Sequence, residues 1–250
     1  MSVLQKDSAA VGSVRGRVLR RPHPRIRRVM TALVVVLALV GVVGLYRTFA
    51  GPAGVGHFRS AQDRQEYLGY YQQVMETMPA PSQVEDVITS YGTVRVYTWE
   101  SGAGRDSPPV VLLPGRASGA PMWAVNIPLL IQSRRVIAFD ALGDAGMSVQ
   151  SAPLTSADDQ AAWVDEVLAD VAPDGVHLVG HSFGGATAAL YARIHPERVR
   201  SLTLLEAVFV FAYPPADIMG WTVVSSIPAL PEGWRNKALE RIGGEKLSGT

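Results

Sequence analysis

The sequence predicts an α/β fold: a mostly parallel sheet with an initial antiparallel hairpin and helices on both faces, behind an N-terminal apolar segment. Three observations lead there. Short, continuous apolar runs such as Val110-Val111-Leu112-Leu113 read as strands buried on both faces. These runs alternate with segments of helical periodicity, which implies a parallel sheet covered on both sides. Charge is also unevenly spread. Residues 1–29 hold eight basic groups against one acid, +7, which leaves −6 on residues 30–250 within an overall charge of +1.

The elements follow in order. Residues 1–28 form a basic tail, expected in the cytoplasm. Val29 to Tyr46 contains no charged residue; eighteen residues at helical rise span about 27 Å, close to the thickness of a bilayer core. With the arginines on its N-terminal side, the positive-inside rule predicts a single-pass anchor in the cytoplasmic membrane, with the body outside. A signal peptide cleaved after Ala50 and a secreted body is the alternative, since Thr48-Phe49-Ala50 offers small residues for a peptidase. Residues 47–83 are read as a connector followed by a helix. In that helix Ala61, Leu68, Tyr71, Met75 and Met78 recur at helical spacing, Ser60 is the cap, and Met78-Pro79-Ala80-Pro81 is the stop.

The core is expected over 84–212. Val84–Ser90 and Thr93–Glu100 read as a hairpin turning at Tyr91-Gly92. Val110–Leu113 is the first buried strand. A helix is expected over Ala120–Ile131, broken by Pro128, and a strand over Arg135–Phe139. Thr155-Ser156 caps a helix lined by Val164, Val167, Leu168 and Val171, with Asp158 and Asp159 suited to its positive end. His177-Leu178-Val179 is a buried strand running through Gly180 into a helix that ends at Ile194, and Val199–Leu205 is the next strand. Residues 213–250 read as the start of a helical cap.

Composition removes several classes of function. With no cysteine there is no disulfide, thiolate nucleophile, iron–sulfur cluster or cysteine-containing zinc site, and neither a cofactor nor a metal is expected. The acidic body argues against nucleic acid as a partner. The expected partners are a small acyl substrate and, through the N-terminal helix, the membrane.

Three loops at the carboxyl ends of strands carry the chemistry. Gly180-His181-Ser182-Phe183-Gly184-Gly185 places G-x-S-x-G between a buried strand and a helix, where a strained turn lifts the serine hydroxyl above the sheet. A phosphate loop is excluded because no Lys-Ser or Lys-Thr follows. An acyl-transfer site also needs two N–H donors for the oxyanion. Phe183, next to the serine, supplies one, and Pro114-Gly115-Arg116-Ala117-Ser118 makes the Arg116 N–H the second candidate. The third loop runs Asp140-Ala141-Leu142-Gly143-Asp144-Ala145-Gly146-Met147-Ser148. Asp140 is read there as a loop-shaping carboxylate in preference to a catalytic one, since aspartate favours local backbone bonds.

Together the three motifs resemble the α/β-hydrolase superfamily over about Val84 to Leu205, in particular exported or membrane-anchored bacterial members with DxxGDxGxS and a tyrosine-rich helix before the first strand. The resemblance implies a serine hydrolase of esterase type, with Ser182 as nucleophile and the Arg116 and Phe183 N–H groups as oxyanion donors. Haloalkane chemistry is disfavoured, because its elbow carries aspartate. Pro114-Gly115 stands where many members have His-Gly. The family order is serine, acid, histidine, yet His23, His57, His177, His181 and His195 all lie outside the expected position for the base. Glu206, at the end of a strand, is the candidate acid. The expectation is therefore either a fragment of a longer hydrolase or a degenerate, non-catalytic relative that acts in binding.

Overall fold

The computed structural model describes residues 30, 31, 33–36, 39, 41, 54–102, 107–227 and 230–243. The chain divides into two units, Met1–Pro52 and Ala53–Thr250. In the first, the described residues are helical and exposed. Among the described residues no helix is long and apolar enough to cross a membrane, and most of the span expected over 29–46 lies outside them.

The second unit opens with helix α1 (Ala61–Glu76), capped as expected: Ser60 Oγ accepts the Asp63 N–H at 3.0 Å. β1 (Gln83–Thr89) and β2 (Gly92–Trp99) form the hairpin, pairing Val87 with Val94. β3 (Val110–Leu113) and β4 (Val136–Phe139) bury every residue. Between them, the helix expected over Ala120–Ile131 is two short pieces, a 3₁₀ turn at Ala120–Trp123 and α2 at Ile127–Leu130. Pro121 and Pro128 each sit at the start of their piece, so Pro128 opens a helix where the sequence reading had it break one. β5 (Val149–Gln150), not expected from sequence, pairs with the start of β2; two residues are too few to leave a periodic signal. α3 (Ala157–Val171) carries a full capping box, in which Ser156 and Asp159 satisfy each other's backbone N–H. β6 (Val176–His181), α4 (Phe183–Ile194) and β7 (Val199–Leu205) follow, then α5 (Ala216–Ser226) and α6 (Glu232–Gly243).

The seven strands form one sheet in the order β1-β2-β4-β3-β6-β7, with β5 beside β2. The β1–β2 and β2–β4 pairs are antiparallel, whereas β4-β3-β6-β7 are parallel. Two cores cover the two faces. On one, Trp163, Val164, Val167 and Leu168 of α3 and Ala188 and Tyr191 of α4 pack on Val111, Leu113, Ile137, Phe139 and Leu178. The Phe139 and Trp163 rings meet edge to face, 5.5 Å apart at 78°. On the other, Tyr71 of α1 joins Trp123, Ile127, Tyr97, Trp99, Leu112 and Ala138. β6 departs from the expected double burial: Val176, Leu178 and Gly180 are buried, while His177, Val179 and His181 are half-buried. β7 is exposed at four of its seven positions in succession. The parallel arrangement brings the carboxyl ends of β3, β4, β6 and β7 to one edge of the sheet, where all three loops emerge.

Candidate active site

Ser182 occupies the turn between β6 and α4 with φ 51° and ψ −116°, a conformation few side-chain-bearing residues adopt. Neighbouring glycines make it possible. A Cβ on Gly180 would lie 2.5 Å from the Gly184 carbonyl oxygen, and one on Gly184 would run into the carbonyls of Leu113 and Pro114. Backbone bonds pin the turn to the end of β7: Ser182 N–H donates to the Leu205 carbonyl (2.9 Å), and the Ser182 carbonyl accepts from Val208 N–H (3.3 Å) and Ala186 N–H (3.2 Å).

The loop after β3 lies directly against this turn. The point where a Gly115 Cβ would stand is 3.4 Å from Ser182 Cβ and 2.7 Å from His181 Nδ1. Serine and histidine thus flank the same glycine. The Gly115 N–H points to Met122 Sδ (3.2 Å), Ala117 N–H donates to Asp144 Oδ1 (2.8 Å), and Ser118 Oγ–H donates to the Arg116 carbonyl (3.1 Å). Among the described residues, the Arg116 and Phe183 N–H groups, the two expected oxyanion donors, have no acceptor. The Arg116 guanidinium lies over the Phe183 ring, 5.2 Å from its centre.

Asp140 is fully buried at the end of β4. Its carboxylate accepts Ala120 N–H (2.7 Å) and Met147 N–H (2.6 Å), and the Tyr71 hydroxyl lies 3.0 Å and 3.1 Å from its two oxygens. The Tyr71 and Tyr97 hydroxyl oxygens are 2.8 Å apart. Each hydroxyl has one proton, so when Tyr71 donates to Asp140 its oxygen is left to accept from Tyr97. Burial raises the Asp140 pKa, against the pull of the Met147 and Ala120 N–H groups and of Tyr71. Asp140 therefore shapes its loop, as the sequence suggested. The hydroxyl pair was missed; only the tyrosine-rich character of α1 hinted at it.

Glu206, at the end of β7, also has positive φ (49°), and its side chain is 89% exposed. One carboxylate oxygen lies 3.6 Å from His181 Nε2, while His181 Nδ1 is buried without a hydrogen-bond partner among the described residues. The other described histidines are elsewhere. His57 Nδ1 lies 3.0 Å from the Val55 carbonyl, and His177 Nδ1 is 2.7 Å from Ser201 Oγ. His195 stacks on Tyr191 near Asp165 and Glu197 at the far end of α4. His23 lies outside the described residues. Among the described residues no imidazole hydrogen-bonds the Ser182 hydroxyl, and no cluster of histidine and acidic residues could hold a metal.

A strained serine on a strand–turn–helix, two backbone donors without an acceptor among the described residues and a shaped acidic loop at the same sheet edge define the α/β-hydrolase class of site. The sequence profile of the alpha/beta hydrolase fold family matches residues 108–241, more than half of the chain, and the chain belongs to that family. Carboxylesterase YbfK of Bacillus subtilis (strain 168) is 26% identical over 154 residues, which cover 62% of this chain and 51% of that protein. The 2-hydroxymuconate semialdehyde hydrolase of Pseudomonas sp. (strain CF600) is 37% identical over 118 residues, 45% of this chain and 40% of that one. The chain spans about half the length of these curated relatives. The crystal structure of naproxen esterase (carboxylesterase NP) from Bacillus subtilis superposes with a TM-score of 0.63 over 74% of this chain and 61% of that one; at 22% identity this likeness concerns the fold alone.

Proposed function

We propose that the protein is a serine hydrolase acting on ester or related acyl bonds, with Ser182 as nucleophile. The observation that carries this reading is the positive φ of Ser182 at the head of α4, beside two N–H groups that have no acceptor among the described residues. In the reaction, Ser182 Oγ bonds to the acyl carbon as a base takes its proton, and the carbonyl oxygen becomes an oxyanion held by Arg116 N–H and Phe183 N–H. The intermediate collapses with departure of the alcohol, which takes up a proton. Water then releases the acid and restores the serine. Glu206 is the acid of the site, since its loop is tied to the serine turn by Ser182 N–H and Val208 N–H and its carboxylate is open to a partner. The carboxylesterase relative supports acyl chemistry.

The absence of a hydrogen-bonded imidazole at Ser182 among the described residues favours a second reading, a non-catalytic relative that binds an acyl ligand at the same place. Reaction of residues 1–250 with a fluorophosphonate probe separates the two. A hydrolase site labels slowly at Ser182, faster when imidazole is added as a diffusible base, and not at all in Ser182→Ala. Labelling that ignores both imidazole and the substitution leaves the binding reading.

The apolar run over 29–46, preceded by arginines, supports a single-pass anchor with 1–28 inside, a connector over 47–83, and the hydrolase core (84–212) and cap region (213–250) outside. External protease added to intact cells should then digest the body. Protection until lysis would overturn this topology, and release of a free body would identify the cleaved, secreted form.

A further inference from the structure

We propose that Asp144 is the positioning residue of the oxyanion loop, holding the Arg116 N–H toward Ser182 through its hydrogen bond to Ala117; this rests on the serine-hydrolase reading above. Ala117 has φ 57°, a left-handed conformation in which the Cβ of an alanine crowds the following carbonyl oxygen. Something must therefore compensate. Asp144 Oδ1 accepts Ala117 N–H at 2.8 Å, a bond strengthened by the carboxylate charge. That bond orients the peptide linking Arg116 to Ala117. The preceding N–H, of Gly115, is directed at Met122 Sδ, and the Arg116 carbonyl accepts from Ser118 Oγ–H. Arg116 is thus fixed on both sides while its own N–H is left without an acceptor among the described residues, as an oxyanion donor must be before substrate arrives.

Asp144 is in turn held firmly. Its N–H donates to the Ala141 carbonyl (3.3 Å), and the next residue's carbonyl accepts the Tyr67 hydroxyl (3.1 Å). Met147, three residues on, donates its N–H to buried Asp140. The aspartate of the β4 loop thereby reaches across to set the β3 loop, and α1 braces it from behind. Its charge has an opposite effect on chemistry, since a carboxylate near a developing oxyanion disfavours it. The hydrogen bond, and not the charge, is what the site uses.

That distinction makes the test sharp. The rate constant for fluorophosphonate labelling of Ser182 is measured for residues 1–250 in the native sequence, Asp144→Ala, Asp144→Asn and Ser182→Ala, with far-UV circular dichroism confirming each fold. Exchange of the Ala117 amide is followed by nuclear magnetic resonance. Asp144→Ala should slow labelling on the order of ten- to a hundredfold, the scale of a misplaced oxyanion donor, and its Ala117 amide should lose protection. Asp144→Asn, which keeps an acceptor and drops the charge, should restore both the rate and the protection. Labelling of Asp144→Ala at the native rate overturns the inference while leaving the hydrolase reading intact, and so does an Asp144→Asn variant as slow as Asp144→Ala. If native protein and Ser182→Ala label alike, the hydrolase reading itself fails and the role of Asp144 falls with it.

Discussion

Asp140 and Glu206 each end a strand of the parallel sheet at the same edge, and their surroundings are opposite. Asp140 is wholly buried, with both oxygens engaged by backbone N–H groups and Tyr71 beside them. Glu206 leaves 89% of its side chain exposed and, among the described residues, meets only His181, at 3.6 Å. The packing behind them differs in the same way: β4 buries every residue, and β7 exposes most of its own. A carboxylate saturated with hydrogen bonds in a dry pocket serves folding, because any other use would leave those donors unsatisfied. One held on a strained backbone in the open, beside an imidazole, remains available for chemistry.

The largest expected effect tests that contrast directly. Asp140→Ala strips acceptors from Ala120 N–H, Met147 N–H and the Tyr71 hydroxyl, and should cost about 3 kcal/mol or more of stability in urea denaturation. Glu206→Ala should stay within about 0.5 kcal/mol, as exposed substitutions do. Equal losses for the two would mean that exposure misrepresents Glu206. Reactivity should invert the order: Glu206→Gln is expected to slow imidazole-assisted labelling of Ser182 about tenfold, roughly 1.4 kcal/mol of barrier. An unchanged rate would remove Glu206 from the site.

Much of this contrast was legible in the residues. The apolar runs at Val110 and Val136, and the glycines around Ser182, gave the strands and the turn, because a buried parallel strand and a close strand–helix approach each tolerate few residue types. Asp140 was recognisable as a loop former because aspartate favours bonds to nearby backbone N–H groups. The partners were not. Tyr71 lies 69 positions from Asp140 and Asp144 lies 27 from Ala117, and a hydrogen bond between distant segments leaves no local periodicity. The same limit explains β5, visible only through its pairing with β2, and the position of His181, which depends on how closely Gly115 approaches it.

A smaller effect probes the hydroxyl chain behind Asp140. Tyr71→Phe keeps the ring packed against Tyr97 and removes the donor, so about 1–2 kcal/mol should be lost. Burial beside Asp140 raises the Tyr71 pKa well above that of a free tyrosine, so the hydroxyl remains a donor across the ordinary pH range. A loss that vanished in Asp140→Asn would place the whole effect in the bond between the two residues, which a double-mutant cycle in the same urea assay would measure.

The smallest expected effect concerns a third carboxylate, at the head of α3, and its contribution to stability at acid pH. Asp159 accepts Thr155 N–H (2.6 Å), the Thr155 hydroxyl (2.9 Å) and Ser156 N–H (3.0 Å) at the head of α3, bonds that lower its pKa to about 2. In the unfolded chain an aspartate titrates near 3.9. Because the folded value is the lower one, the unfolded state takes up the proton first as pH falls. The stabilisation from ionised Asp159 is therefore complete above about pH 5, and is lost as pH drops through 4 toward 2. Asp159→Asn cannot titrate, so the gap between its unfolding midpoint and that of the native chain should be constant from pH 7 to 5 and close below pH 4. The group is exposed, and salt should narrow the gap at every pH. Ser182 labelling, by contrast, should be the same in both proteins wherever both are folded, since α3 touches neither the serine turn nor the Glu206 loop through this carboxylate. A gap that widened toward low pH would mean that the Asp159 contacts favour the protonated acid, and the capping box would not be what holds α3 at its start.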